Sequence, residues 1–149
     1  GRGPHENYCD RNSSAFVDLY QSKVEDQYFP YIRPQENGYK TDSRWLTLTD
    51  ETGNGLLISG VPLFSFSALN NPIEDFDQGK KENYRHTNDI ISRDKVFVTV
   101  DLMQMGVGGD NSWGAMPHPQ YLLPAGDYVF KCKLIPFKKS DNPFLFTGK

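Results

Sequence analysis

Cysteine is nearly absent: the 149 residues hold two, Cys9 and Cys132. Two cysteines make no disulfide framework, and neither stands in a Cys-x-x-Cys pair of the kind that binds zinc or runs redox chemistry, so two free thiols are expected. Long apolar runs are missing too. The stretch from Gly55 to Phe66 is broken by Ser59, Gly60 and Pro62. It falls short of the roughly 18 to 20 residues that cross a bilayer, so a soluble chain without a membrane partner is expected. Alanine, the best helix former, occurs only at positions 15, 68, 115 and 125, which disfavours a helical bundle. No excess of positive charge exists either. The formal net charge is −3, and the basic clusters are pairs such as Lys80-Lys81 and Lys138-Lys139, so nucleic acid is not an expected partner.

Motifs for several chemistries are lacking. There is no Gly-x-Ser-x-Gly nucleophile elbow, and His5, His86 and His118 stand far apart with no i, i+4 pair and no cysteine beside them. No metal site and no cofactor are therefore expected in this chain.

What is present points to strands and turns. Aromatic residues make up 13% of the chain, with eight Tyr, ten Phe and two Trp, alongside thirteen Gly and ten Pro. A chain of this length suits one domain with a real core. Period-two alternation is clearest at Val96 to Leu102, where Val96, Val98, Val100 and Leu102 share one face and Phe97, Thr99 and Asp101 the other, a half-buried strand. Tyr128 to Leu134 repeats the pattern with Lys131 and Lys133 toward solvent, after a turn at Pro124 to Asp127. Arg44 to Thr49, the Gly53-Asn54-Gly55 turn and Leu56 to Ser59 read as a hairpin. Residues 15–20, 28–33, 63–69 and 85–91 are weaker strand candidates, with Pro30 and Pro62 pushing their segments toward edges or bends. Asn71 to Lys81 is the one expected helix, with Asn71 as cap, Pro72 in the first turn, Glu74 and Asp75 at the positive end and Gly79 as stop. The sum is an all-β, antiparallel β-sandwich over residues 1–139 with a loose tail at 140–149.

Two features attract a functional reading. Pro4-His5-Glu6-Asn7 and Pro34-Gln35-Glu36-Asn37 echo each other and place a carboxylate in each of two Pro-bounded loops. A carboxylate pair is the machinery of glycoside hydrolysis, but a Glu in such a loop more commonly accepts hydrogen bonds from backbone N–H groups or an Arg. The second feature is Met103 to Trp113, which follows directly on the best strand. Its Gly106-Val107-Gly108-Gly109 core is no phosphate loop, since neither a Lys-Ser/Thr pair nor a helix pattern follows. Asp110, Asn111 and Ser112 set short polar side chains beside the indole of Trp113. That combination suits a sugar, whose C–H faces stack on aromatics while its hydroxyls seek carboxylate and amide groups. A Trp that plugs the end of the core reads equally well from spacing alone.

The chain resembles a known family in four ordered stretches: Gly1-x-Gly3-Pro4-x-Glu6-Asn7-Tyr8-x-Asp10-Arg11, Tyr31-x-x-Pro34-x-Glu36-Asn37-Gly38, Met105-Gly106-x-Gly108-Gly109-Asp110-x-Ser112-Trp113 and Leu123-x-Ala125-Gly126-x-Tyr128. They resemble the last domain of the large family 2 glycoside hydrolases of the β-galactosidase type. The resemblance covers nearly the whole chain and weakens after about Phe137. Asn71 to Lys81 and Gly114 to Pro119 follow no pattern of the family.

The resemblance implies the second half of a galactose-mutarotase-like super-sandwich, with an apolar face or edge left open and self-association of the fragment as a consequence. It implies that the parent is a retaining enzyme acting on terminal β-galactosides. Both catalytic Glu residues, and the Mg and Na sites that the parent family often uses, would lie in an absent (β/α)₈ barrel. That barrel and the β-galactoside become the expected partners, and no catalytic residue is expected in this chain. Trp113 matches the family's aromatic residue that reaches into the mouth of the active site and stacks on the sugar, and Asp110 and Asn111 beside it are candidate sugar-binding residues on their own polar chemistry. A free-standing carbohydrate-binding module and a purely structural packing domain are the rival readings.

Overall fold

The computed structural model describes residues 1–77, 85–111 and 113–146. Within them the chain is built almost wholly of strands, and every strand pairing is antiparallel. A small sheet joins β1 (Arg2–Gly3) to β2 (Phe16–Val17), with Arg2 opposite Val17 and Gly3 opposite Phe16. The main sheet has four strands: β3 (Lys40–Thr49), β4 (Gly55–Leu69), β5 (Phe97–Asp101) and β6 (Cys132–Phe137). The long β4 lies at its centre. One flank pairs with β3, and the other pairs with β6 along its first half and with β5 along its second.

The β3–β4 hairpin follows from its turn chemistry. Asp50 Oδ1 accepts the Thr52 N–H at 2.9 Å, the Thr52 hydroxyl at 2.6 Å and the Asn54 N–H at 3.1 Å. One short side chain thus satisfies donors that the tight reversal leaves unpaired. Beyond the turn, Leu48 meets Leu56, Leu46 meets Ile58, and Trp45 meets Ser59. The register then shifts. Ser43 pairs with Phe64, so β4 takes five steps where β3 takes two. The four residues at 60–63, which include Pro62, stand opposite one residue of β3, a surplus of three that forms a bulge and bends β4.

The core sits against β4 and the start of β3. Leu57, Ile58, Phe64, Ala68 and Leu69 are buried, as are Tyr8, Tyr39 and Phe76. The rings of Tyr8 and Tyr39 stack at 5.7 Å with an interplanar angle of 8°, tying the N-terminal segment to the sheet. Aromatic stacking of this kind adds about 0.5 to 1.5 kcal/mol beyond the area buried. Phe144 meets Trp45 edge-on at 5.4 Å, so the final described segment also touches β3.

The all-β antiparallel architecture agrees with the sequence reading, while several elements differ. The expected helix shrinks to α1 (Ile73–Phe76). Its Asn71 does not cap; the amide instead donates to Asp75 Oδ2 at 2.9 Å and to the Ile91 carbonyl at 2.7 Å. Phe76 turns into the core and stacks on Tyr28 at 5.8 Å, and Asp77 is already extended. The remainder of the expected helix, from residue 78 onward and including Gly79, lies outside the described residues. Residues 28–33 form no strand, and 85–91 hold a 3-10 turn at Thr87–Asp89 in place of one. Strand β6 starts at Cys132 and not at Tyr128, because the bend in β4 ends the ladder where Gly60 meets Cys132. Strand β5 lies where alternation puts it, yet Val96 and Val98 are exposed while Phe97 and Asp101 are half-buried. Val100 and Leu102, on the same face as the two exposed valines, are half-buried, so the described residues cover that face only in part. Both thiols are free, Cys9 half-buried and Cys132 exposed. No helix among the described residues is long and apolar enough to cross a membrane.

Candidate functional site

The first two sequence motifs converge on one carboxylate. Glu6 Oε1 accepts from Arg11 and from the Tyr31 hydroxyl. Its Oε2 accepts the Gly38 N–H at 2.8 Å and the Tyr8 hydroxyl at 3.3 Å. Burial pushes this carboxyl up, but the bonds from Tyr31, Gly38 and Arg11 together outweigh it and hold Glu6 below its ordinary value. An anion so fully hydrogen-bonded is a fixed tie between two segments of chain. Asn7 works beside it, accepting the Thr41 N–H at 3.0 Å and the Thr41 hydroxyl at 2.6 Å. Glu36 is different. Burial pushes its carboxyl up, against a 2.9 Å bond from Gln104 Nε2.

Gln104 stands directly before the third motif, so Glu36 links the second motif to its start. The Gln104 carbonyl also accepts from the Cys9 thiol at 3.4 Å. Next along the chain, the Gly106 N–H donates to the Tyr121 carbonyl at 2.8 Å, and the Gly108 N–H donates to Asp10 Oδ2 at 2.8 Å. A side chain at 106 has no room, since its Cβ would fall 2.4 Å from Asp10 Oδ2 and 2.9 Å from Tyr121 Cβ. Gly108 stands at φ 69°, in the left-handed region that glycine enters without steric cost.

The loop tip carries the three residues singled out from sequence. Asn111 Oδ1 accepts the Trp113 N–H at 2.9 Å and the Ala115 N–H at 3.4 Å, so its oxygen shapes the turn. Asp110 Oδ2 lies 2.7 Å from His118 Nε2, with both side chains exposed. Trp113 is 90% exposed, so it plugs no part of the described core. The structure therefore brings Asp110, Asn111 and Trp113 onto one tip. Glu36 reaches the start of this loop through Gln104, while Glu6 ties the first motif to the second.

A scan against family models matches residues 1–134 to one described as the β-galactosidase small chain. The chain belongs to that family. It is 48% identical over 125 residues to the β-galactosidase of Priestia megaterium, 37% over 134 to that of Vibrio cholerae and 38% over 128 to that of Streptococcus thermophilus. The matches take in 84%, 90% and 85% of this chain and 12% of each relative.

In this β-galactosidase small-chain segment two clefts stand apart from the loop. One of about 480 Å³ is lined by Glu6, Arg11, Tyr31 and Lys40 among others, and one of about 360 Å³ by Leu19, Trp45, Phe66 and Phe144 among others. Among the described residues, neither takes a lining residue from 106–113. Lys40, which sequence reading passed over, is buried and donates to Gln27 Oε1 at 2.8 Å; burial lowers its pKa to about 8. Asp10 and Arg11 were visible only as letters of a motif, because their partners lie far along the chain or in another loop. No cluster of three or more His, Cys, Asp or Glu that could hold a metal ion occurs among the described residues.

Proposed function

We propose that this segment is the second half of a terminal super-sandwich in a retaining β-galactosidase, and that its 106–113 loop walls the site for a terminal β-D-galactoside. The observation that carries this reading is a large indole left 90% exposed at the tip of a loop whose base is pinned. An exposed Trp held in place offers the flat apolar face on which a sugar ring stacks. Asp110 and Asn111 supply the polar rim beside it. Glu36 holds the start of the loop through Gln104 and Glu6 ties the first two motifs together; neither takes part in bond cleavage, so both catalytic carboxylates belong to another part of the parent polypeptide. The name β-galactosidase, carried by the relatives in three genera, suggests the activity and the substrate class for this proposal.

The rival reading that the same features admit is a carbohydrate-binding module that works alone. Titration of lactose and galactose into the 149-residue chain, with folding verified by circular dichroism, separates the two. A wall of a larger site binds neither sugar measurably and turns over no chromogenic β-galactoside. Saturable lactose binding by the folded chain contradicts the wall, and turnover abolished by Glu6→Gln or Glu36→Gln contradicts the structural role of those carboxylates.

A further inference from the structure

We propose that Asp10 is a positioning residue for the sugar site: its carboxylate holds the Gly106–Gly109 turn so that Trp113 is presented in one orientation. The inference rests on the sugar contact proposed for Trp113.

Three observations carry it. Asp10 Oδ2 accepts the Gly108 N–H at 2.8 Å across 98 positions of sequence, a contact that fixes the turn to the N-terminal motif. Gly106 approaches the same carboxylate so closely that a Cβ would stand 2.4 Å from Oδ2 and 2.7 Å from Cγ, so the chain passes over Asp10 with no slack. The other oxygen, Asp10 Oδ1, is shielded from solvent without a hydrogen-bond partner among the described residues. A carboxylate oxygen shielded from solvent and left unpaired costs stability, so a residue kept for the fold alone is better served by an apolar or amide side chain there. Among the described residues, the hydrogen bond that the Asp10 side chain makes goes to the loop.

The chemistry follows from preorganisation. A glycine-rich turn samples many backbone conformations, and each sugar-binding event would have to select one. An anionic acceptor aimed at one N–H removes most of that freedom before the sugar arrives, and Asp10 lies in Cys9-Asp10-Arg11, next to the Glu6–Arg11 pair. The loop then inherits the rigidity of the N-terminal motif, whose Tyr8 ring is stacked on Tyr39.

The test uses the full-length β-galactosidase carrying this segment and a non-hydrolysable thiogalactoside as probe. Asp10→Ala is expected to weaken probe affinity about fivefold to thirtyfold, the same range as Trp113→Ala. The double variant should be no weaker than Trp113→Ala alone, because both act through one side chain. Asp10→Asn keeps an oxygen for the Gly108 N–H and should restore most of the affinity, and exchange of the Gly108 amide should quicken in Asp10→Ala and not in Trp113→Ala. If Asp10→Ala yields no folded protein, Gly106→Ala displaces the same carboxylate and should reproduce the loss. Full affinity in Asp10→Ala, alongside a weakened Trp113→Ala, overturns the positioning role and leaves the sugar contact standing. Additive losses overturn it as well. An unchanged Trp113→Ala removes the sugar contact, and the proposal for Asp10 falls with it, whatever the amide exchange shows.

Discussion

Lys40 and Glu6 sit in the same cleft wall and respond to pH in opposite ranges. Burial lowers the Lys40 pKa to about 8 from 10.5, so its charged form is costly in the fold. That cost is present below pH 8 and is relieved as pH rises from 8 toward 10.5, where the unfolded chain still holds the proton. Lys40→Met should therefore abolish a rise in stability on the order of 3 kcal/mol across that window, read by urea denaturation of both proteins at each pH. Equal slopes for the two proteins contradict the assignment. Glu6, held below its ordinary 4.5, contributes stability that is present above that value and is lost as pH falls through its folded value. Glu36 and Asp101, both raised by burial, act in the other sense, their cost relieved on acidification. Glu6→Gln replaces one acceptor with an NH₂ group facing donors, and it should cost about 2 to 4 kcal/mol at neutral pH. Sequence reading gave Glu6 a hydrogen-bonding role as its commoner alternative, since a Pro-bounded Glu near an Arg has that chemistry to hand. It did not identify Tyr31 and Gly38 as the partners, 25 and 32 residues away, because nothing local encodes which loops meet.

At the scale of elements, the chain was legible where one local rule acts. The hairpin around Asp50 is an example, with Asp, Gly and Asn in the turn and alternating Leu and Thr beside it. It was illegible where two rules compete. Leu56–Ser59 and Leu63–Leu69 read as separate strands because Pro62 interrupts them, yet they form one strand whose three surplus residues absorb the proline in a bulge. An odd surplus also switches the face to which each side chain points, which defeats any continuous count of alternation. The helix expectation failed for a related reason. Asn71, Pro72 and the acidic pair make a sound start, but Phe76 is drawn into the core against Tyr28 and ends the helix after one turn. Asn71 instead bridges α1 to the segment before β5 through Asp75 and the Ile91 carbonyl. Asn71→Ala should accordingly cost about 1 to 2 kcal/mol in urea denaturation, with the loss felt between residues 71 and 93. A change within a few tenths of a kcal/mol contradicts the bridge.

For the whole molecule, the exposed side chains of β5 and β6 matter most. Val96, Val98 and Leu134 are exposed, with Val129 and Phe130 just before β6, and among the described residues no strand pairs along the outer edge of either. An open edge with apolar neighbours invites pairing with another chain. The isolated chain should thus sediment as dimers or larger species at tens of micromolar, and Val98→Lys should shift it toward monomer. A strictly monomeric chain counts against its being half of a sandwich. The resemblance in sequence reached the family because its motifs are the residues that tie the segments together, and those ties are what a fold requires. The proposed reach of the loop toward sugar is tested in the full-length protein. In that protein, thiogalactoside affinity and melting temperature are compared for Trp113→Ala and the unsubstituted chain. A Trp that is 90% exposed should lose affinity by about 1 to 2 kcal/mol, with the melting temperature nearly unchanged. A fall in melting temperature with affinity intact contradicts the account, since it makes Trp113 a packing residue and leaves the loop without its sugar.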